Sequence, residues 1–196
     1  VHNGIVENFK EIRTELNALG LTHETDTDTE TVALLTQYYM SQGNSPHKAT
    51  QKTIARLEGA FALAFLFQGE DDLMIAARKG SPLAIGNGDD EAYVGSDAIA
   101  LAPLTDKITY LEEGDFAVIT RSSIVIYDAS GNLANREMRT ITIDSAHVDK
   151  GGYKHFMAKE IAEQPSVLKN TLSRYQNADA SEVELPEHSI DLAHID

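Results

Sequence analysis

The chain has 196 residues and sets 31 acidic side chains against 16 basic ones; the formal charge of −15 argues against gripping a nucleic-acid backbone and lets like charge keep molecules apart. It contains no cysteine, which excludes disulfides, thiolate metal sites and a thiol nucleophile within these residues. A hydrophobic content of 42% supports one good core, or one domain plus the start of another, and no apolar run approaches the ~20 residues of a membrane helix.

In chain order, Asn8 to Leu19 predicts a helix, with Phe9, Ile12, Leu16 and Leu19 on one face and Gly20 as its stop. A second helix is expected from Thr29 to Gln42, burying Val32, Leu35 and Tyr39, and Gly43-Asn44 ends it. Ser45 then caps a third, with Pro46 at the first helical position and an end near Glu58. The pattern changes at Gly59. Phe61 to Phe67 is an apolar run between Gly59 and Gly69, which predicts a buried strand, and Leu73 to Ala77 predicts another. Leu83 to Ile85 and Ala92 to Val94 flank a turn at Gly86-Asn87-Gly88. Lys107 to Leu111, Phe116 to Thr120, Ile124 to Tyr127 and Glu137 to Ile143 complete the strands. Helices followed by consecutive short strands imply an α+β architecture with an antiparallel sheet. Composition shifts again at Asp149-Lys150-Gly151-Gly152. Tyr153 to Ser173 then predicts helix, with Met157, Ile161, Leu168 and Leu172 on related faces, and Pro165 either kinks it or starts a new one. After Arg174 there is no further Lys or Arg and acidic and short side chains dominate, so the stretch is expected to be irregular.

Four segments carry polar chemistry. Asn3-Gly4 by itself is the commonest hairpin dipeptide. Its other reading is an oxyanion hole: an Asn amide and a backbone N–H aimed at a tetrahedral oxyanion, where glycine lets the backbone approach the substrate. Asp28 directly precedes a helix, and Thr27 and Glu30 have capping-box spacing; a carboxylate there either caps the helix or pairs with a substrate ammonium. Arg78-Lys79-Gly80-Ser81 reads as a tight turn rather than a phosphate loop, since the P-loop pattern is missing. Ser96-Asp97 reads as a cap on a short helix. The histidines, His147 and His155 among them, have no metal-like spacing, so no metal and no cofactor are expected.

Several stretches resemble one family, the glutamine–fructose-6-phosphate aminotransferases (isomerising), or glucosamine-6-phosphate synthases. They are His2-Asn-Gly-Ile-Val-Glu-Asn8, Thr25 to Glu30, Leu57-Glu-Gly-Ala-Phe61, Ala77-Arg-Lys-Gly-Ser-Pro-Leu83, Gly95-Ser-Asp97, Tyr110-Leu-Glu-Glu-Gly-Asp115, and Lys154-His-Phe-Met-Ala-Lys-Glu-Ile161 with Glu163-Gln-Pro165 and Lys169-Asn-Thr171. The Asn-Gly pair is shared by class II glutamine amidotransferases at large; the Arg-Lys-Gly-Ser-Pro-Leu, Leu-Glu-Glu-Gly-Asp and Lys-Glu-Ile-x-Glu-Gln-Pro segments single out this member. The resemblance implies an N-terminal-nucleophile hydrolase fold, a four-layer α/β/β/α sandwich left incomplete here, over residues 1–148. Residues 149–196 would be the linker and helical start of a sugar isomerase domain. It further implies that Asn3 and the Gly4 N–H form the oxyanion hole and that Asp28 binds the α-amino group of glutamine. In that family an N-terminal cysteine attacks the amide with its own amine as base. Such a cysteine is expected upstream of Val1, so the chain reads as a fragment, inactive by itself. Glutamine and fructose 6-phosphate are the expected substrates, a homodimer the expected assembly, and the cytoplasm the expected location, with no nucleic acid or membrane partner. Two rivals remain: another class II amidotransferase, such as a phosphoribosyl-transferring or asparagine-forming enzyme, and a nucleophile-free interaction module.

Overall fold

A computed structural model describes residues 1–141, 150–173 and 175. The chain divides into two compact units, Val1–Val148 and Asp149–Asp196.

The first unit opens with strand β1 (His2–Val6) and three helices, α1 (Phe9–Ala18), α2 (Asp28–Ser41) and α3 (Pro46–Ile54). Local signals set their ends. The end of α1 is a Schellman turn in which Gly20 N–H reaches Asn17 O at 3.0 Å and Leu21 N–H reaches Leu16 O at 2.9 Å. Ser45 caps α3 through the Lys48 N–H, with Pro46 at the first position as expected. That helix stops at Ile54, four residues before Glu58, because the Arg56 and Leu57 N–H groups bond back to Thr53 and Ile54 as a tight turn.

Strands β2 (Gly59–Leu66), β3 (Met74–Lys79), β7 (Phe116–Ile119) and β8 (Ile124–Tyr127) join β1 in a five-stranded antiparallel sheet ordered β1-β2-β3-β7-β8. Strands β4 (Ala84–Asn87), β5 (Ala92–Gly95), β6 (Lys107–Tyr110) and β9 (Met138–Thr140) form a second sheet ordered β5-β4-β6-β9, with the short helix α4 (Ala98–Leu101) between β5 and β6. Strand alternation sorts the core into layers. Val6, Phe61, Leu63, Ile75 and Phe116 turn to one face and pack on Ile12 and Leu16 of α1 and Val32 and Leu35 of α2. Their neighbours Ala62, Ala76 and Ala117 turn to the other face and meet Leu83, Ile85 and Leu111. Ala84 and Ile108, on the far side of the second sheet, pack on Ala98 and Leu101 of α4.

Two sequence readings shift. The turn expected at Gly86-Asn87-Gly88 begins later: Gly86 and Asn87 pair with Tyr93 and Ala92, and the reversal is closed by the Gly88 N–H to Glu91 O bond at 2.9 Å. Arg78 and Lys79, read as turn residues, are the last two residues of β3 and pair with Ala62 and Phe61; the turn follows at Gly80, whose φ is 72°. The last expected strand is shorter, and residues 142 and 143, like His147 and the acidic tail from residue 176, lie outside the described residues.

In the second unit, α5 (Phe156–Leu172) runs without a break through Pro165, so no new helix starts there. The residue is exposed, and the carbonyl left without its N–H partner can be solvated, which reduces the usual penalty. Met157, Ile161 and Leu168 are exposed. Among the described residues no helix is long and apolar enough to cross a membrane.

Candidate active site

The site is built on β1, the terminal strand of its sheet. Its register against β2 pairs His2 with Leu63, Asn3 with Ala62, Gly4 with Phe61 and Val6 with Gly59. The Val1 ammonium donates to Ala64 O at 2.7 Å and the Ala64 N–H returns to Val1 O at 2.9 Å; at the other end the Glu7 N–H donates to Glu58 O at 2.8 Å. Bonded positions alternate along an antiparallel pair. Residues 1, 3, 5 and 7 therefore turn their backbone groups toward β2, and the N–H groups of His2, Gly4 and Val6 point to the outer edge. The Val6 N–H does so visibly, donating to Asp28 Oδ2 at 2.9 Å. Strand alternation assigns the Gly4 N–H to the same edge one repeat earlier.

Gly4 has no room for a side chain. Its φ is +131°, and a Cβ there would sit 2.1 Å from Ala60 O and 2.8 Å from Phe61 Cα. The glycine is thus required by close backbone approach as well as by conformation. It lies in mid-strand, so the hairpin-turn reading of Asn3-Gly4 is set aside. The Asn3 side chain, on the face opposite His2 and Val6, lines a cavity of about 790 Å³ that also touches Ala62, Met74, Leu83, Tyr93 and Leu104.

Asp28 is brought to the same edge by α2. Thr27 is the N-cap, its hydroxyl accepting the Glu30 N–H at 3.4 Å. Only half of the expected capping box forms. The Glu30 carboxylate accepts instead from the Glu24 and Thr25 N–H groups, both at 2.7 Å, and from the Thr25 hydroxyl at 2.6 Å, closing the loop ahead of the helix. The Glu24 N–H bond leads in pulling the Glu30 pKa down to about 2. That loop presents Asp28, in the first turn of α2, to β1. Its side chain is 21% exposed and its Oδ1 lies 3.6 Å from His2 Nδ1. The cap role falls to Thr27 and not to Asp28; one Asp28 oxygen instead ties β1 to α2, and the carboxylate still reaches solvent. Asn3 and Asp28 lie on different sides of β1, with the Gly4 N–H at the edge.

His2 and Thr29 received no role from sequence. Their contact at 3.0 Å spans 27 positions, and only folding creates it. Elsewhere, Arg78 and Gly80 dock onto the 111–115 segment: an Arg78 guanidinium N–H donates to Leu111 O, and the Gly80 N–H reaches both oxygens of Glu113 at 3.0 Å. Two of the family-like segments thus form a structural joint, not a phosphate cradle. Asp115, 1% exposed, takes both Arg136 Nε and Nη2 at 2.8 Å. Asp97 caps α4 by accepting the Ile99 N–H at 2.9 Å. His155 stands at the N-cap of α5 without a side-chain capping bond.

Two antiparallel sheets between helical layers, with an Asn-Gly edge strand, define a mixed α/β fold resembling the N-terminal-nucleophile-type fold of class II amidotransferases. A solved structure with this fold is glutamine phosphoribosylpyrophosphate amidotransferase from B. subtilis, complexed with ADP and GMP, at 27% identity and a TM-score of 0.57 over 68% of this chain and 29% of that one. The chain belongs to the glutamine amidotransferase domain family, which it matches over residues 1–103. It is 56% identical over 186 residues to a glutamine–fructose-6-phosphate aminotransferase (isomerizing) of Bradyrhizobium diazoefficiens, covering 95% of this chain and 31% of that protein. It is 49% identical to one of Zymomonas mobilis, covering 100% of this chain and 32% of that protein. The chain therefore spans about a third of the length of these curated relatives. Their higher identity favours this branch over the phosphoribosyl-transferring one.

Proposed function

We propose that this chain carries the glutamine-gripping and oxyanion-stabilising half of a glutaminase site, within an enzyme that makes glucosamine 6-phosphate from fructose 6-phosphate and glutamine. The supporting observation is the β1 edge. The Gly4 and Val6 N–H groups point the same way, about 7 Å apart at strand rise, and Asp28 sits on the second at 2.9 Å. An extended glutamine separates its amide oxygen from its α-nitrogen by about 6 Å, so the amide oxygen would lie at Gly4 while the ammonium lies at Asp28. The Gly4 N–H and the Asn3 amide would stabilise the oxyanion, and removing one such donor lowers turnover by roughly 10²–10³ in comparable sites.

Residues 1–148 are read as part of the glutaminase domain. Residues 149–196 are read as the linker and helical start of a sugar isomerase domain, on the Lys-Glu-Ile-x-Glu-Gln-Pro segment in α5. The complete enzyme is read as a cytoplasmic homodimer. The attacking thiol of this family has no counterpart among 196 residues that include no cysteine, so the chain binds glutamine without hydrolysing it. The test is a titration of the ¹⁵N-labelled chain with L-glutamine, with ammonia assayed in parallel. The Gly4 and Val6 amide resonances should move in the wild type and respond far less in Asp28→Asn, with no ammonia released. Unmoved β1 amides, or steady ammonia release, would sink the reading.

A further inference from the structure

His2 is set beside the carboxylate that the proposed function uses, yet that function leaves it idle. Its side chain is 3% exposed. Nδ1 lies 3.0 Å from Thr29 Oγ1, and the Thr29 hydroxyl donates to Asp28 Oδ1 at 3.4 Å. Direct contact between Nδ1 and Oδ1, at 3.6 Å, is too long for a hydrogen bond. A hydroxyl has a single hydrogen. With that hydrogen given to Asp28, Thr29 can only accept from the ring, so the ring proton is on Nδ1. The other nitrogen, Nε2, is buried and meets no partner among the described residues. The Nδ1–H tautomer thus places the proton of a neutral ring where an acceptor exists, and leaves no buried N–H stranded.

The consequence falls on Asp28. A carboxylate turns readily about its terminal bond. The Val6 N–H anchors Oδ2 alone, which leaves the plane of the group free to rotate. A second donor at Oδ1 fixes that plane and leaves acceptor capacity on both oxygens for an ammonium. We propose that His2, as its Nδ1–H tautomer, is a positioning residue that orients Asp28 toward the substrate α-ammonium through the Thr29 hydroxyl. This rests on the reading of Asp28 as the ammonium-binding carboxylate.

Two measurements on the chain test it. Long-range ¹H–¹⁵N correlation of the His2 ring should find Nδ1 protonated in the wild type, with that preference lost in Thr29→Val. A wild-type ring protonated on Nε2 alone overturns the proposal, whatever the binding data. The second measurement compares L-glutamate with glutarate, which lacks the ammonium, by the shifts of the Gly4 and Val6 amides. His2→Leu, which fills the buried slot without a donor, should cut the preference for L-glutamate roughly 2–10-fold, the worth of one net hydrogen bond. His2→Asn, whose amide can stand where Nδ1–H stands, should restore it, as a merely space-filling role would not. If Asp28→Asn abolishes the preference while His2→Leu keeps it, the relay is wrong and the Asp28 reading survives. If Asp28→Asn keeps the preference, the parent reading falls and takes the relay with it.

Discussion

Replacing Gly4 by alanine is a sharp test of how tightly β1 is clamped to β2. Two penalties add. The backbone at φ +131° lies where side-chain-bearing residues are strained, at about 1–3 kcal/mol. The new methyl would also sit 2.1 Å from Ala60 O, a backbone atom that cannot swing aside; forced overpacking of this kind costs about 1–3 kcal/mol. The sum, about 2–6 kcal/mol, is a large part of the ~5–15 kcal/mol that holds a domain together. Gly20→Ala is the matched control. Gly20 also has a positive φ, +84°, but nothing lies within 4 Å of its would-be Cβ, so only a left-handed penalty of about 1–2 kcal/mol applies. At a urea slope of about 2 kcal/mol per molar, the unfolding midpoint should fall by about 1–3 M for Gly4→Ala and about 0.5–1 M for Gly20→Ala. Equal shifts in the two variants would refute the close-approach argument and return Asn3-Gly4 to an ordinary turn-prone dipeptide.

Two further outcomes follow from buried or charged hydrogen bonds. The Glu30 pKa, held at about 2 by the Glu24 N–H and the Thr25 hydroxyl and N–H, lies below its ordinary 4.5. A depressed carboxylate contributes stability above its unfolded value and loses it as pH falls through the folded one. Wild type should therefore lose stability relative to Glu30→Gln between pH 4.5 and 2, read from urea midpoints across that range; parallel curves would disprove the role of the loop bonds. In the core, Thr36 Oγ1 donates to Val32 O at 2.9 Å and meets Thr53 Oγ1 at 3.0 Å. Thr53→Val should cost about 1 kcal/mol, whereas Thr36→Val, which strands the Thr53 hydroxyl, should cost about 1–3 kcal/mol. The reverse order in thermal or urea denaturation would show the hydrogen runs the other way.

Much of this molecule was legible locally. The caps at Ser45 and Asp97, the stop at Gly20 and the apolar stripes of α1 and α2 depend on contacts within one turn, so residue type alone decides them. The motif and the resemblance point to Asn3, Gly4 and Asp28 as the candidate site residues. Arg78 and Lys79 were misjudged because charge next to glycine suggests a turn, whereas pairing with Ala62 and Phe61 extends the strand past them. The Gly86-Asn87 pair failed in the same way: its turn preference was overridden by cross-strand partners on both sides, Tyr93 and Ala92 on one and Ile108 and Lys107 on the other.

What the residues determined by themselves was therefore the inventory: which segments coil, which extend, and which face is apolar. Only the tertiary structure decided the partition of the described strands into two sheets, sending β7 back beside β3 with β8 on its outer side, while β6 joins β4 and β9 joins β6. It also decided that the Val6 N–H meets Asp28 and that His2 meets Thr29. The reason is physical. The Val6–Asp28 and His2–Thr29 contacts join groups 22 and 27 positions apart, strand pairs such as His2 with Leu63 lie further apart still, and the energies of both depend on register and burial, which no window of sequence contains.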